Sequence, residues 1–208
     1  MKRSWLLTTL IAAAALAWPC AAAADGGVKG GVAVSTLANA GAWSWGTGYT
    51  VGAFTSVRLF ELVRLQPEIL VTRKAASAQL TDGVTSATST VRLDYLEFPI
   101  LLARALRSGG GWRPVVYGGG FLAARLRARA TSQVGDARID EDLADETRAT
   151  DAGAVAGVRL EIPGRGARWL VDLRYCHGLT QVSDAAAAQG GRTRSFEISA
   201  GIAWPRSQ

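Results

Sequence analysis

Between Val28 and Trp204 the chain returns again and again to one pattern, in which every second side chain is apolar and those between are polar. Period two belongs to a β-strand with one greasy face, because successive side chains leave a strand on opposite sides. No stretch of useful length after Asp25 shows the 3.6-residue period of an amphipathic helix. In 28–36, Val28, Gly30, Val32 and Val34 alternate with Lys29, Gly31, Ala33 and Ser35. In 63–73, Val63, Leu65, Pro67, Ile69 and Val71 alternate with Arg64, Gln66, Glu68, Leu70 and Thr72. The segments 154–162, 169–179 and 195–204 behave alike, placing Arg159 and Glu161, then Asp172 and Arg174, then Glu197 on the polar side. Three more segments alternate less cleanly. In 49–60, Phe54 falls among the polar set. In 91–103, Arg92 and Asp94 share a face and the phase then slips near Glu97, which suggests a β-bulge. In 115–129, Arg125, Arg127 and Arg129 share a face. Eight strands result, of a length suited to crossing a bilayer at a tilt.

The connections sharpen this. Segments 38–48, 74–90, 130–151 and 183–192 are long, whereas 61–62, 106–112 and 163–167 are short, and the two kinds alternate without exception. Long loops on one side and short turns on the other are the pattern of an up-and-down outer-membrane barrel. Both termini then lie on the side of the short turns. The expected fold is therefore all-β: a closed antiparallel eight-stranded transmembrane barrel.

Alternation alone does not say which face points inward. The polar set mixes signs (Arg64, Glu68, Arg92, Asp94, Glu97, Arg125, Arg159, Glu161, Asp172, Arg174 and Glu197), so its members can pair in a closed interior as a structural network. Trp43, Trp45, Tyr49, Phe60, Trp112, Trp169 and Trp204 sit near strand ends, where interfacial girdles belong. A final apolar strand reaching Trp204 also suits the outer-membrane assembly machinery. These features favour apolar-out. The opposite arrangement, a soluble periplasmic barrel binding a hydrophobic ligand, is the alternative.

Ahead of the strands, Lys2 and Arg3 precede an apolar run, then Pro19 and the small residues Ala21 to Ala24. This is a secretory signal with cleavage expected after Ala24, which divides the chain into a signal peptide (1–24) and a barrel domain (25–208). Pro19 directly before Cys20 argues against lipidation. The formal net charge of +6 falls to about +4 once Lys2 and Arg3 are removed. No basic stripe forms, so nucleic acid is a poor partner. The expected partners are outer-membrane lipid and lipopolysaccharide, with an extracellular or periplasmic protein left open.

His177, the one histidine, lies on the apolar face without a serine and an acid to complete a hydrolase, and with Cys176 as the one cysteine of the mature chain no metal site assembles. No catalytic residue and no cofactor are expected. An outer-membrane lipid-modifying enzyme is the alternative. The run 136–151 is acidic but lacks the alternating carboxylates and turn glycine of a calcium loop. It reads as a solvated extracellular loop, with loose divalent-ion or lipopolysaccharide contact as the alternative. Eight strands leave an interior wide enough only for side chains, so an open porin is not expected.

Several segments resemble the PorT-type outer-membrane β-barrel domain. Gly27-Val28-Lys29-Gly30-Gly31-Val32 resembles its opening strand, and Leu65-Gln66-Pro67-Glu68-Ile69-Leu70 a later one. Tyr95-Leu96-Glu97-Phe98-Pro99-Ile100-Leu101-Leu102 resembles its Tyr-Leu-Glu-Ile-Pro-Leu-Leu strand. Asp172-Leu173-Arg174-Tyr175 with Gly178-Leu179-Thr180, and Ile198-Ser199-Ala200-Gly201-Ile202, resemble its last two. The resemblance implies an eight-stranded outer-membrane barrel and brings no catalytic residues; the role expected of such a closed barrel is structural, surface-display or adhesion-type. Pro205-Arg206-Ser207-Gln208 follows the last strand, where that family more often ends on an aromatic.

Overall fold

A computed structural model describes residues 25–38, 44–81, 86–107, 111–134, 137–143, 147–182 and 191–204. The expected signal segment and Trp43 lie outside the described residues. The strands are β1 (Asp25–Ala38), β2 (Ser44–Arg58), β3 (Val63–Thr81), β4 (Ser86–Ala105), β5 (Arg113–Val134), β6 (Ala137–Asp142), β7 (Thr150–Pro163), β8 (Arg168–Gly178) and β9 (Arg192–Trp204). All pairings are antiparallel. The ring runs β1-β2-β3-β4-β5-β7-β8-β9 and closes where β9 pairs with β1. Closure leaves no open edge in the membrane, where an unpaired backbone group would cost several kcal/mol (about 2–7). The strand β6 lies outside the ring and, among the described residues, pairs with β5 alone.

The apolar faces point outward. Val32, Val51, Ile69, Ile100, Leu122, Val158, Leu173 and Ile198 are exposed, while their polar neighbours Glu68, Thr72, Arg159, Asp172, Arg174 and Glu197 are buried. Exposed Trp169 and Trp204 mark the end with the short turns, together with Phe60 and Trp112. At the other end Trp45 packs on Phe196 at 5.8 Å between ring centroids, and Phe196 on Tyr175 at 4.9 Å. Phe196 and Trp204 are both on β9; at a strand tilt of about 40° they stand about 20 Å apart in depth, close to the ~25 Å apolar band of such barrels. In the β7–β8 turn Gly166 takes a left-handed φ of 77°, which a side chain would strain.

The two less regular strands differ from their sequence reading. Along β4 the alternation is unbroken: Leu93, Tyr95, Glu97, Leu101 and Ala103 are buried, and the even-numbered residues face out. The apparent slip arises because both faces of β4 are apolar around Glu97, so hydrophobicity there no longer reports the phase. The bulge is on β5 instead. Asp94 pairs with Arg127 but Tyr95 pairs with Arg125, which leaves Leu126 as the extra residue. There β5 also changes its second neighbour, from β7 (through Ala124) to β6 (from Arg129).

The long connections 74–90 and 130–151 are largely strand. β3, β4 and β5 run to 19, 20 and 22 residues, about twice the 9–11 that a bilayer requires. With β6 their upper parts form a sheet beyond the aromatic girdle. It is held by polar pairs, Ser77 with Thr90 at 3.1 Å and Thr131 to Asp140 at 2.8 Å. Asp140 sits in the acidic run. The Thr131 hydroxyl and then the Arg138 guanidinium hold its carboxyl below the usual range.

The lipid-facing assignment is directly testable. Leu173 lies between Val158 and Ile198 on the outer wall, so Leu173→Arg is expected to destabilise the barrel by about 2–4 kcal/mol in equilibrium unfolding from lipid bilayers.

Candidate functional site in the packed lumen

The barrel interior is filled in layers. At mid-depth Glu68 on β3 is the centre of a closed ring of side chains drawn from five strands. Lys29 on β1 places Nζ 2.9 Å from its carboxylate, and Arg174 on β8 donates Nη2 at 3.0 Å. Gln66 donates to the same carboxylate at 2.6 Å and accepts from Arg159 at 2.7 Å. Arg159 on β7 donates Nε to Asp172 at 2.9 Å. The Tyr117 hydroxyl on β5 donates to Asp172 and accepts from Arg174 Nε at 3.3 Å, which closes the circuit. Both guanidinium groups also stack on the Tyr117 ring, at 5.3 and 5.4 Å. All seven residues are less than a tenth exposed.

A second layer lies toward the outer mouth. Lys74 on β3 pairs with Glu97 on β4 at 2.8 Å, and its ammonium lies over Phe121 and Tyr95 at 4.9 and 5.3 Å. Cys176 is within 3.7 Å of Glu197. Above it Asp151 accepts from Thr180, and from Thr193 at 3.1 Å. At the inner mouth Glu161 meets three arginines: Arg113 through a short bond from Nη2, Arg64 at 3.6 Å and Arg168 at 3.7 Å.

One side of the lumen is apolar. Leu93, Tyr95, Leu101, Ala103, Val115, Tyr117, Phe121 and Ala123, from β4 and β5, pack as one cluster with Val155 and Cys176. Room for the rings comes from glycine on the next strand: a Cβ on Gly157 would overlap the Tyr117 phenol, and one on Gly153 the Phe121 ring. Phe54 does point inward and lies under Arg159 at 5.5 Å.

The sequence-derived charge set is thus distributed over several places. Glu68, Arg159, Asp172 and Arg174 form the ring, Glu97 and Glu197 the layer above, and Arg64 and Glu161 the inner mouth. Two residues expected in the lumen lie elsewhere. Arg92 and Asp94 stand on the outer wall, because the phase of β4 places even numbers outside. Asp94 there takes a forked bond from Arg73 at 2.6 and 2.9 Å. Arg125, just before the β5 bulge, keeps the inward phase of Phe121 and Ala123 opposite Tyr95, and at the outer mouth it donates to Thr147 and to the Arg148 carbonyl at 3.2 Å, fastening the segment that leads into β7. The sequence reading left out Lys29, Gln66, Lys74 and Tyr117 as site residues. Lys74 is in phase with Glu68 and Thr72, so extending the alternation by one step would have found it. His177 is on the outer wall, 3.3 Å from the Tyr175 hydroxyl, away from the lumen carboxylates. Among the described residues no group of three or more His, Cys, Asp or Glu could hold a metal ion.

This architecture defines a small outer-membrane β-barrel. Residues 22–184 match the family described as outer membrane protein beta-barrel domain. The chain belongs to that family, and it is an outer-membrane protein. No curated protein matches its sequence. Among solved structures, Neisserial surface protein A is similar at a TM-score of 0.52 and 13% identity, over 87% of this chain and 97% of that one. The attachment invasion locus protein Ail of Yersinia pestis (TM-score 0.39, 9% identity, 86% and 98% covered) also aligns. So does the N-terminal barrel domain of Pseudomonas aeruginosa OprF (0.38, 13%, 86% and 96%).

Removing one member of a buried ion network strands its partners. Glu68→Ala, which leaves Lys29 and Arg174 facing each other, is expected to cost about 3–5 kcal/mol in denaturant unfolding. Arg138→Gln, at an exposed pair with Asp140, is expected to cost less than about 1 kcal/mol.

Proposed function

We propose that the chain is a closed, non-conducting and non-catalytic outer-membrane anchor that presents the sheet formed by the upper parts of β3, β4, β5 and β6 at the cell surface. The length of β3–β5 carries this reading. Strands about twice as long as the membrane needs, polar on both faces above the girdle, are built to stand in water. The filled lumen supports the absence of a pore, since the space that an ion would use is occupied by the Glu68 ring and the β4–β5 aromatic wall. The free edge of β6 carries Arg138, Asp140 and Asp142, and charge on an edge strand discourages indiscriminate strand pairing. Within the family, the Tyr95–Leu102 run supports placing the chain among PorT-type members, and residues 1–24 support export by a cleaved signal.

Lipopolysaccharide is the lipid partner that fits the outer wall. Arg127 and Arg129 are exposed just above Leu122 and Leu126, and β4 brings Arg92 opposite Arg129. Guanidinium groups at that depth meet the phosphates of the outer leaflet.

Orientation decides the display reading. An epitope inserted between residues 135 and 136, in the β5–β6 connection, is expected to bind antibody on intact cells. The same epitope between Arg165 and Gly166 is expected to bind after permeabilisation only. The reverse pattern would contradict the proposal.

A further inference from the structure

The inner mouth of the barrel holds a half-enclosed cavity of about 470 Å³, within the size range of small-molecule sites (about 300–1,000 Å³) and equal to on the order of fifteen water molecules. It differs in kind from the mid-barrel ring, where each charge meets its opposite. Five arginines line it, Arg58, Arg64, Arg107, Arg113 and Arg168, against Glu61 and Glu161. Asp25 takes part of the excess by binding Arg168 at 2.5 Å. Two positive charges remain unmatched. Arg58 and Arg107 have no ion pair among the described residues; Arg58 ends β2 and Arg107 lies in the neighbouring β4–β5 turn.

We propose that this mouth is a binding site for a phosphate-bearing ligand of head-group size. Three observations combine. Glu161 already organises Arg64, Arg113 and Arg168 from three different strands, so their forked donors are held in place before any ligand arrives. The unmatched charge of two equals that of a phosphomonoester or of two phosphodiesters. The carboxylate that holds these three arginines, Glu161, is only 5% exposed, so charge contacts at the cavity floor are screened less than at an open surface. Arginine suits this role because its planar fork engages two phosphate oxygens at once. Exposed Trp112 and Leu106 on the rim touch the depth of the inner-leaflet interface. The phosphate is therefore supplied either by an inner-leaflet lipid head group or by a soluble periplasmic compound.

Calorimetry on the full chain in uncharged detergent micelles, with inorganic pyrophosphate as the probe, tests the site. Wild type is expected to bind one equivalent. Arg58→Gln with Arg107→Gln removes the unmatched charge without stranding a buried partner, and is expected to weaken binding about tenfold or more. Arg138→Gln, in the exposed pair with Asp140 at the opposite end of the barrel, is expected to bind as wild type does. Absence of saturable binding by wild type, or equal affinity in the Arg58/Arg107 variant, would overturn the proposal. Repeating the titration in nanodiscs separates the sources. Binding in phosphatidylcholine that is lost in phosphatidylglycerol identifies the lipid head group as occupant, and equal binding in both identifies a soluble anion.

Discussion

Glu68 is a carboxylate with almost no contact with water, inside a barrel whose outer face is hydrocarbon. An isolated ion there would cost several kcal/mol, on the order of 5 or more. Two cations and one amide share its two oxygens, and each of those partners is held by a strand that has to be in register for the contact to exist. Lys29 requires β1 and Arg174 requires β8 in register with β3, which carries both Glu68 and Gln66. Arg159 and Tyr117 bring in β7 and β5 through Asp172. Five of the eight ring strands are thus fixed by one connected set of polar groups, in a place where hydrophobicity cannot choose the register because the apolar side chains have gone to the lipid.

The barrel solves a packing problem twice, once on each side of its axis. On one side the lumen is charged and directional, and each charged group of the ring lies beside an opposite charge from another strand. On the other, β4 and β5 fill the space with apolar and aromatic groups and need no partners. The two halves meet at Tyr117, whose ring lies among the aromatic wall and whose hydroxyl belongs to the ion network. Above the girdle neither solution applies. Strands there meet water on both faces, so serine, threonine and charged residues carry them.

How legible each part was in the sequence follows from the same physics. Where one face meets lipid and the other a polar lumen, as in β3, β8 and β9, every second residue reports its side, and Glu68, Asp172, Arg174 and Glu197 could be placed in the lumen from the sequence. On β4 both faces are apolar, so alternation carries no phase. Arg92 and Asp94 were consequently assigned to the wrong wall and the bulge to the wrong strand. Outside the membrane both faces are polar, so the upper reaches of β3–β5 and the whole of β6 resembled loops. Arg127 and Arg129 read as sharing a face with Arg125, yet a single inserted residue, Leu126, turns them to the outer wall, and nothing local in the sequence announces that insertion. The closed circuit through Gln66 and Tyr117 depends on distances across the barrel, which no one-dimensional pattern encodes.

The central claim is that this interior is filled and stays filled. Single-channel recording of the reconstituted full chain in a planar bilayer, in concentrated potassium chloride under applied voltage, tests it most directly. The account predicts a flat baseline with no resolved conductance steps. Discrete, reproducible steps from the unmodified chain would contradict it, because they would mean that ions pass where the Glu68 ring and the β4–β5 wall are packed.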